Sequence, residues 1–76
     1  MMEELDRVVL VASIPAHGLE AGDIGTIVMV HQGGQGYSVE FLTLDGETVA
    51  VETLRSNQVR PIRPNEVAHA RQLASA

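Results

Sequence analysis

The sequence contains no cysteine, no tryptophan and no lysine, and its only aromatic rings are Tyr37 and Phe41. Without cysteine there is neither a disulfide framework nor a thiolate zinc site to reinforce a small core, and nothing points to an oxidising compartment. Without lysine, every basic side chain is an arginine, and ten carboxylates outnumber five arginines for a formal net charge of −5. That balance disfavours nucleic acid as a partner, because affinity for a phosphate backbone comes mainly from basic groups that displace condensed counterions. No apolar run approaches the length of a signal core or a membrane span, and the start Met1-Met2-Glu3-Glu4-Leu5-Asp6 is acidic. The expectation is a cytoplasmic chain with no membrane association. At 76 residues it makes one domain, which buries only about 60–65% of the surface its unfolded form exposes. The core must therefore be aliphatic, helped by oligomerisation if at all.

What is present is a succession of short β-type segments. Arg7-Val8-Val9-Leu10-Val11-Ala12 is β-branched and too short for a globular helix, so it reads as a first strand. Pro15 and Gly18 mark the loop Ser13 to Gly18. Leu19 to Thr26 reads as a turn feeding a second strand, Ile27 to Val30. Within it, Gly22 before Asp23 predicts a backbone position with φ above zero, and Gly25 predicts a close backbone approach or a bulge. His31-Gln32-Gly33-Gly34-Gln35-Gly36 is a polar hairpin tip. The third strand, Tyr37 to Leu42, alternates, with Tyr37, Val39 and Phe41 on one face and Ser38 and Glu40 on the other.

Asp45-Gly46, flanked by strand-like sequence, is a strong short-range hairpin signal and leads into a fourth strand, Thr48 to Thr53. Its valines, Val49 and Val51, are expected to face inward, and Ala50 and Glu52 outward. Leu54 to Gln58 reads as a tight turn of 3-10 type before a last strand, Val59 to Ile62, which Pro61 places at an edge or seam. The expected core is Val8, Leu10, Leu19, Ile24, Ile27, Val28, Val30, Val39, Phe41, Val49, Val51, Leu54 and Val59. Beyond it, Asn65 can cap a helix and the alanine-rich tail favours one, with Val67, Ala70 and Leu73 on a shared face. The chain thus divides into a domain over residues 1–62 and a tail, a short helix stable only when docked, over 63–76. Five short strands with tight connections favour closure into a small barrel, which hides edges.

The succession Leu5-Asp6-Arg7-Val8-Val9-Leu10, Leu19-Glu20-Ala21-Gly22-Asp23-Ile24-Gly25-Thr26-Ile27-Val28, Tyr37-Ser38-Val39-Glu40-Phe41 and Asp45-Gly46-Glu47-Thr48 resembles a bacterial family known only as domain of unknown function 4926. The resemblance runs from Leu5 to about Pro61 and implies an SH3-like barrel with no established activity. The fold expected is therefore all-β, a small five-stranded SH3-like barrel with a short C-terminal helical tail. Gly22 to Val28 is also similar, more loosely, to the KOW element of ribosomal proteins, though it lacks the basic residues such elements use.

No constellation points to catalysis. His17, His31 and His69 lie in a loop, a hairpin and the tail, without the short spacing of a metal site. Glu40 and Glu52, read as outward neighbours on strands three and four, would make an acid and base pair only within a cleft. Charged outward positions on a half-exposed sheet are ordinary. Asp6, Asp23 and Asp45 read as turn formers whose side chains accept from nearby backbone N–H groups. Gly33-Gly34-Gln35-Gly36 lacks the lysine and the following helix of a phosphate loop. Neither cofactor nor metal is expected, and no enzyme.

The reading that remains is a small non-catalytic interaction or accessory module, binding a protein partner or self-assembling. Gly22, Asp23, Gly25, Asp45 and Gly46 are its structural turn residues. Candidate contact residues are Arg55, Arg60 and Arg63, whose guanidinium groups suit carboxylates within the chain or across subunits, and Val67 and Leu73 of the tail, through which a homo-oligomer would form. The contact surface is expected on the loops Ser13 to Gly18 and His31 to Gly36, or on the edge Val59 to Ile62. A KOW-like RNA-binding module is the alternative.

Overall fold

The computed structural model describes residues 2–73, in which five strands are joined in sequence: β1 (Arg7–Leu10), β2 (Ile24–His31), β3 (Gly36–Leu42), β4 (Thr48–Arg55) and β5 (Val59–Pro61). Single 3-10 turns at Pro15–His17 and Ser56–Gln58 interrupt the first loop and the β4–β5 connection. The strands form one antiparallel sheet in the order β4-β3-β2-β1-β5. As expected, Pro61 falls on an edge strand, opposite Val8. Among the described residues no helix is long and apolar enough to cross a membrane.

The closed barrel expected from the strand count does not form, because β4 and β5 remain the two edges of an open sheet. The last strand is only three residues long, with a proline at its end, and offers little ladder for closure. The sheet nevertheless bends around a single core, in which Val8, Leu10 and Val59 from one end pack in the same cluster as Val39, Phe41 and Leu54 from the other. A bulge helps β2 bend: Ile27 pairs with Val39 and Met29 with Ser38, leaving Val28 as the extra residue.

That bulge and a second one in β4 account for Val28 and Val51 falling outside the core. Val28 is displaced outward, and Ile24 lies at the exposed start of β2, which begins earlier than expected. In β4, Phe41 pairs with Ala50 but Leu42 with Thr48, so Val49 is the extra residue and the inward phase falls on Ala50, Glu52 and Leu54. Val51 is consequently exposed, while Val9, Tyr37 and Ala50 are buried. A large ring facing a small methyl is a sound reason for that register, since Phe41 fills the space that Ala50 leaves. In β3, Tyr37, Val39 and Phe41 are buried in strict alternation, as read from the sequence.

The entrances of β1 and β2 are copies of one device. In Glu3-Glu4-Leu5-Asp6 and in Glu20-Ala21-Gly22-Asp23, the fourth N–H donates to the first carbonyl at 3.1 and 3.0 Å, and the aspartate Oδ2 accepts from the first N–H at 2.9 and 2.8 Å. The third residue has positive φ in both, 72° at Leu5 and 98° at Gly22. Each turn then latches onto the other strand: Leu5 N–H to Ile27 O and Ile27 N–H to Asp6 O, matched by Gly22 N–H to Leu10 O and Leu10 N–H to Asp23 O. The antiparallel pair is thus locally two-fold symmetric, with Glu3 to Leu10 answering Glu20 to Ile27.

The symmetry makes a paired prediction, because one copy has the glycine its backbone favours and the other does not. Nothing lies near the position a Cβ would take at Gly22, so Gly22→Ala incurs backbone strain alone and should cost about 1 kcal/mol. Leu5 is exposed and already strained, and Leu5→Gly should stabilise by about 0.5 kcal/mol after the entropy gained by the unfolded chain is subtracted. Urea melts of the two variants should move the midpoint in opposite directions.

Candidate functional site

The tail is where the structure departs most from the sequence reading. Residues 62–73 contain no helix, and after the turn at Pro64-Asn65 they run as an irregular segment back to the Glu20–Asp23 turn. The reason lies at Pro64-Asn65. Asn65 takes φ 67°, and the Arg63 N–H donates to Glu66 Oε1 at 2.6 Å, so Asn65 is the left-handed third residue of a turn and not a helix cap. Proline followed by asparagine suits such a turn. A carboxylate at the fourth position binding the first N–H, after a residue of positive φ, is the arrangement already seen at Asp6 and Asp23.

In two of these turns the carboxylate also holds an arginine. Glu66 receives Arg60 through both guanidinium arms, Nη1 to Oε1 at 3.0 Å and Nη2 to Oε2 at 2.6 Å. Asp23 receives Arg71, whose Nε donates to Oδ1 at 2.9 Å and whose Nη2 donates to Oδ2 and, at 2.9 Å, to the Gly18 carbonyl. Arg71 Nη1 also lies 3.6 Å from Glu20 Oε2. Two-armed guanidinium–carboxylate pairs are the stronger kind of surface ion pair, and here they fasten the tail at two points.

Between the fastened tail, the Glu20–Asp23 turn and the β3–β4 hairpin lies a cleft of about 560 Å³. Ile24, Phe41 and Val49 line it from the sheet, Leu19 from the loop before β2, Leu42 and Leu44 from the hairpin, and Ala68, Ala70 and Leu73 from the tail. Its rim carries Asp23, Asp45 and Glu47 against Arg71. The hairpin is a tight one: the Gly46 N–H donates to the Thr43 carbonyl at 3.0 Å, Gly46 takes φ 93°, and the Thr43 hydroxyl is held by Asp45. Asp45-Gly46 thus sits at the end of the turn, in the pattern of a longer hairpin loop in place of a two-residue one.

The arginine pairs hold both carboxylates in their charged form. Hydrogen bonding from Arg60, reinforced by the Arg63 N–H, pulls Glu66 down to about 2. Hydrogen bonding from Arg71 lowers Asp23 below its ordinary 3.8, against the opposing effect of burial. A carboxylate depressed in the folded state contributes stability that is present above its unfolded value and is lost as pH falls through its folded value. The tail should therefore stay fastened throughout the neutral and mildly acidic range, and release only below the usual aspartate range. Carbon-detected NMR titration of the Asp23 carboxyl, followed with the amide shifts of Ala68 and Ala70, checks this. An Asp23 midpoint at 3.8 or above would mean that Arg71 does not hold it.

The other residues singled out from the sequence fall elsewhere. Arg55 stands opposite Gly36 at the end of β4, where its N–H is capped by Gln58 Oε1 at 2.7 Å. Arg60 lies opposite Val9 on β5, and Arg63 opens the tail turn. Val67 is 90% exposed, whereas Leu73 is half-buried at the cleft. Gly25 lies within β2 and not in the turn before it, pressed against β3. Glu40 and Glu52 are on opposite faces of the sheet, because Glu40 pairs with Val51 on the outside and Glu52 with Val39 on the inside. Glu40 accepts from the Thr48 hydroxyl at 2.9 Å, and Glu52 lies 3.2 Å from His17 Nε2, joining the first loop to β4. They form no acid and base pair. His31 Nε2 is bonded to Ser38 Oγ at 2.7 Å, and His69 lines the cleft. No group of three or more histidine and carboxylate side chains among the described residues converges to hold a metal ion.

The residue that sequence reading misses is Arg71 of the tail. It meets Asp23 across 48 positions, and no spacing rule connects the two. A family model described as a domain of unknown function, DUF4926, matches residues 4–61, which covers the five strands and stops before the tail. No curated protein and no solved structure matches the chain.

Proposed function

Since the chain belongs to the DUF4926 family over residues 4–61, we propose that the β-sheet domain is a non-catalytic interaction module that takes an extended segment of a protein partner in the cleft between the Glu20–Asp23 turn and the β3–β4 hairpin. One observation carries the reading. A segment without helix or strand, lying outside the family's residues, already runs along that cleft, fastened by Arg71 on Asp23. An apolar floor with a few polar groups at its rim is the usual make-up of a site for an extended peptide. Beside the β5 edge, expected from the sequence to bear contacts, lies a smaller cleft of about 340 Å³ lined by Val9, Arg60, Ile62 and Val67. The net charge of −5 favours a basic protein segment over nucleic acid as the occupant.

Affinity capture from the native host tests it, with the full chain against Ile24→Arg, which places a charge in the cleft from a position already partly exposed. A partner retained by the parent protein and lost from Ile24→Arg, while capture by a variant at the opposite end such as Arg55→Glu is unaffected, supports the cleft. Equal capture by all three would sink it.

A further inference from the structure

We propose that the cleft reads an arginine: its ligand is an extended peptide that sets a guanidinium on Asp23 and the Gly18 carbonyl and an aliphatic side chain two residues further on, and the chain's own tail is the resident competitor. This rests on the cleft being a peptide site, and adds the chemistry of the peptide.

Three features lead to it. The Asp23 end of the cleft has acceptors only for a flat, forked cation. Both carboxylate oxygens and one backbone carbonyl are met by Nε and Nη2 of a single guanidinium, with Glu20 Oε2 at 3.6 Å from Nη1. An ammonium group has neither the plane nor the spacing of donors to reproduce this. Secondly, Leu73 follows Arg71 by two residues and also lines the cleft, half-buried, so an arginine and an aliphatic side chain two positions apart both meet it. Thirdly, the tail fits imperfectly. Ala68 and Ala70 are exposed, small side chains of the stretch that lines the cleft, and about 560 Å³ stays open between tail, hairpin and sheet. A segment with larger apolar residues at those two places would fill what the alanines leave empty. The tail's advantage is its tether, which holds it at the cleft at a high effective concentration.

Arg71→Ala in the full chain removes the competitor's anchor while leaving the sheet, the Glu20–Asp23 turn and the hairpin that line the cleft unchanged. The probe is a fluorescein-labelled peptide of residues 64–73, followed by anisotropy. It should bind Arg71→Ala about tenfold or more tightly than the parent protein, since the tethered arginine no longer competes. Replacing the peptide's arginine by alanine should abolish binding, and replacing it by lysine should weaken it markedly. Asp23→Asn in the Arg71→Ala background should also lose the peptide; asparagine keeps an oxygen for the Glu20 N–H, so the turn persists, and amide NMR spectra confirm the fold. Binding to Arg71→Ala that ignores the arginine-to-alanine change overturns the arginine reading but leaves a peptide cleft standing. No binding to Arg71→Ala overturns the inference outright, and the Ile24→Arg capture then decides separately whether the cleft is used at all. A doubled mass of the parent protein in light scattering that Arg71→Ala abolishes would overturn it in favour of tails exchanged between two copies.

Discussion

Gly25→Ala should destabilise the domain by about 3 kcal/mol, at the upper end of what one inserted methyl costs in a packed core. A Cβ at this position would stand 2.5 Å from Val39 Cγ1, 3.0 Å from the Glu40 carbonyl oxygen and 3.0 Å from a ring carbon of Phe41. None of the three can yield easily. Val39 is fully buried and β-branched, the carbonyl belongs to the central ladder, and Phe41 is itself only 2% exposed. Backbone conformation plays no part, since Gly25 does not need positive φ. The clash is steric, so it should be relieved in part by removing its nearest partner. Val39→Ala alone should cost about 2 kcal/mol for two lost methyl groups and the space they leave. The double variant Gly25→Ala with Val39→Ala should then be more stable than the sum of the two losses implies. Denaturant melts of the four proteins measure this, and strict additivity would show that the close approach of β2 to β3 is not what demands glycine.

The contrast between Gly25 and Gly22 shows what was legible in the sequence. Both glycines announced themselves, Gly22 as a turn residue and Gly25 as a close approach, and both readings describe their backbones correctly. Local rules are enough there, because each depends on chemistry within a few residues. The same holds for the alternation of Tyr37, Val39 and Phe41, for the Asp45-Gly46 hairpin, and for the edge position of Pro61. The face of β4 did not follow from local rules. Val49 does pack against the core as its hydropathy suggests, but it does so as the bulged residue, so Val51 falls on the outside, and nothing in Thr48 to Thr53 marks where the bulge falls. It is the Phe41 ring on the neighbouring strand that selects Ala50 as its partner.

The site was less legible than the fold, for a related reason. The Glu-x-x-Asp repeat before β1 and β2 is visible in the sequence once sought, as Glu3-Glu4-Leu5-Asp6 and Glu20-Ala21-Gly22-Asp23. The tail was misread because alanine-rich composition favours helix, whereas Pro64-Asn65 turns the chain and the two arginine–carboxylate pairs then hold it down. Helix propensity in so short a segment is worth little against such tertiary contacts. Barrel closure failed for the opposite reason: strand number was read correctly, but the number of strands does not fix whether the first and last edges meet.

The second large effect is expected at Phe41, where fold and site converge. Phe41→Ala should cost about 3–5 kcal/mol, against a total stability of about 4–10 kcal/mol for a domain of this size. Phe41 is 2% exposed and among the largest fully buried side chains, it faces the small Ala50 across the sheet, and it forms the floor of the cleft. With no disulfide and no tryptophan, the core has little else of that volume to collapse into the gap. The variant should be largely unfolded at 37 °C, so its loss of peptide binding would say nothing about the cleft. Phe41→Leu separates the two roles. It keeps an apolar side chain opposite Ala50, should cost about 1–2 kcal/mol, and should stay folded at 25 °C while the cleft deepens where the ring has gone. If the floor of the cleft contacts the bound segment, Phe41→Leu in the Arg71→Ala background should bind the 64–73 peptide more weakly with its fold intact. Circular dichroism melts give the first effect and anisotropy the second; unchanged affinity in a folded Phe41→Leu protein would confine Phe41 to the core.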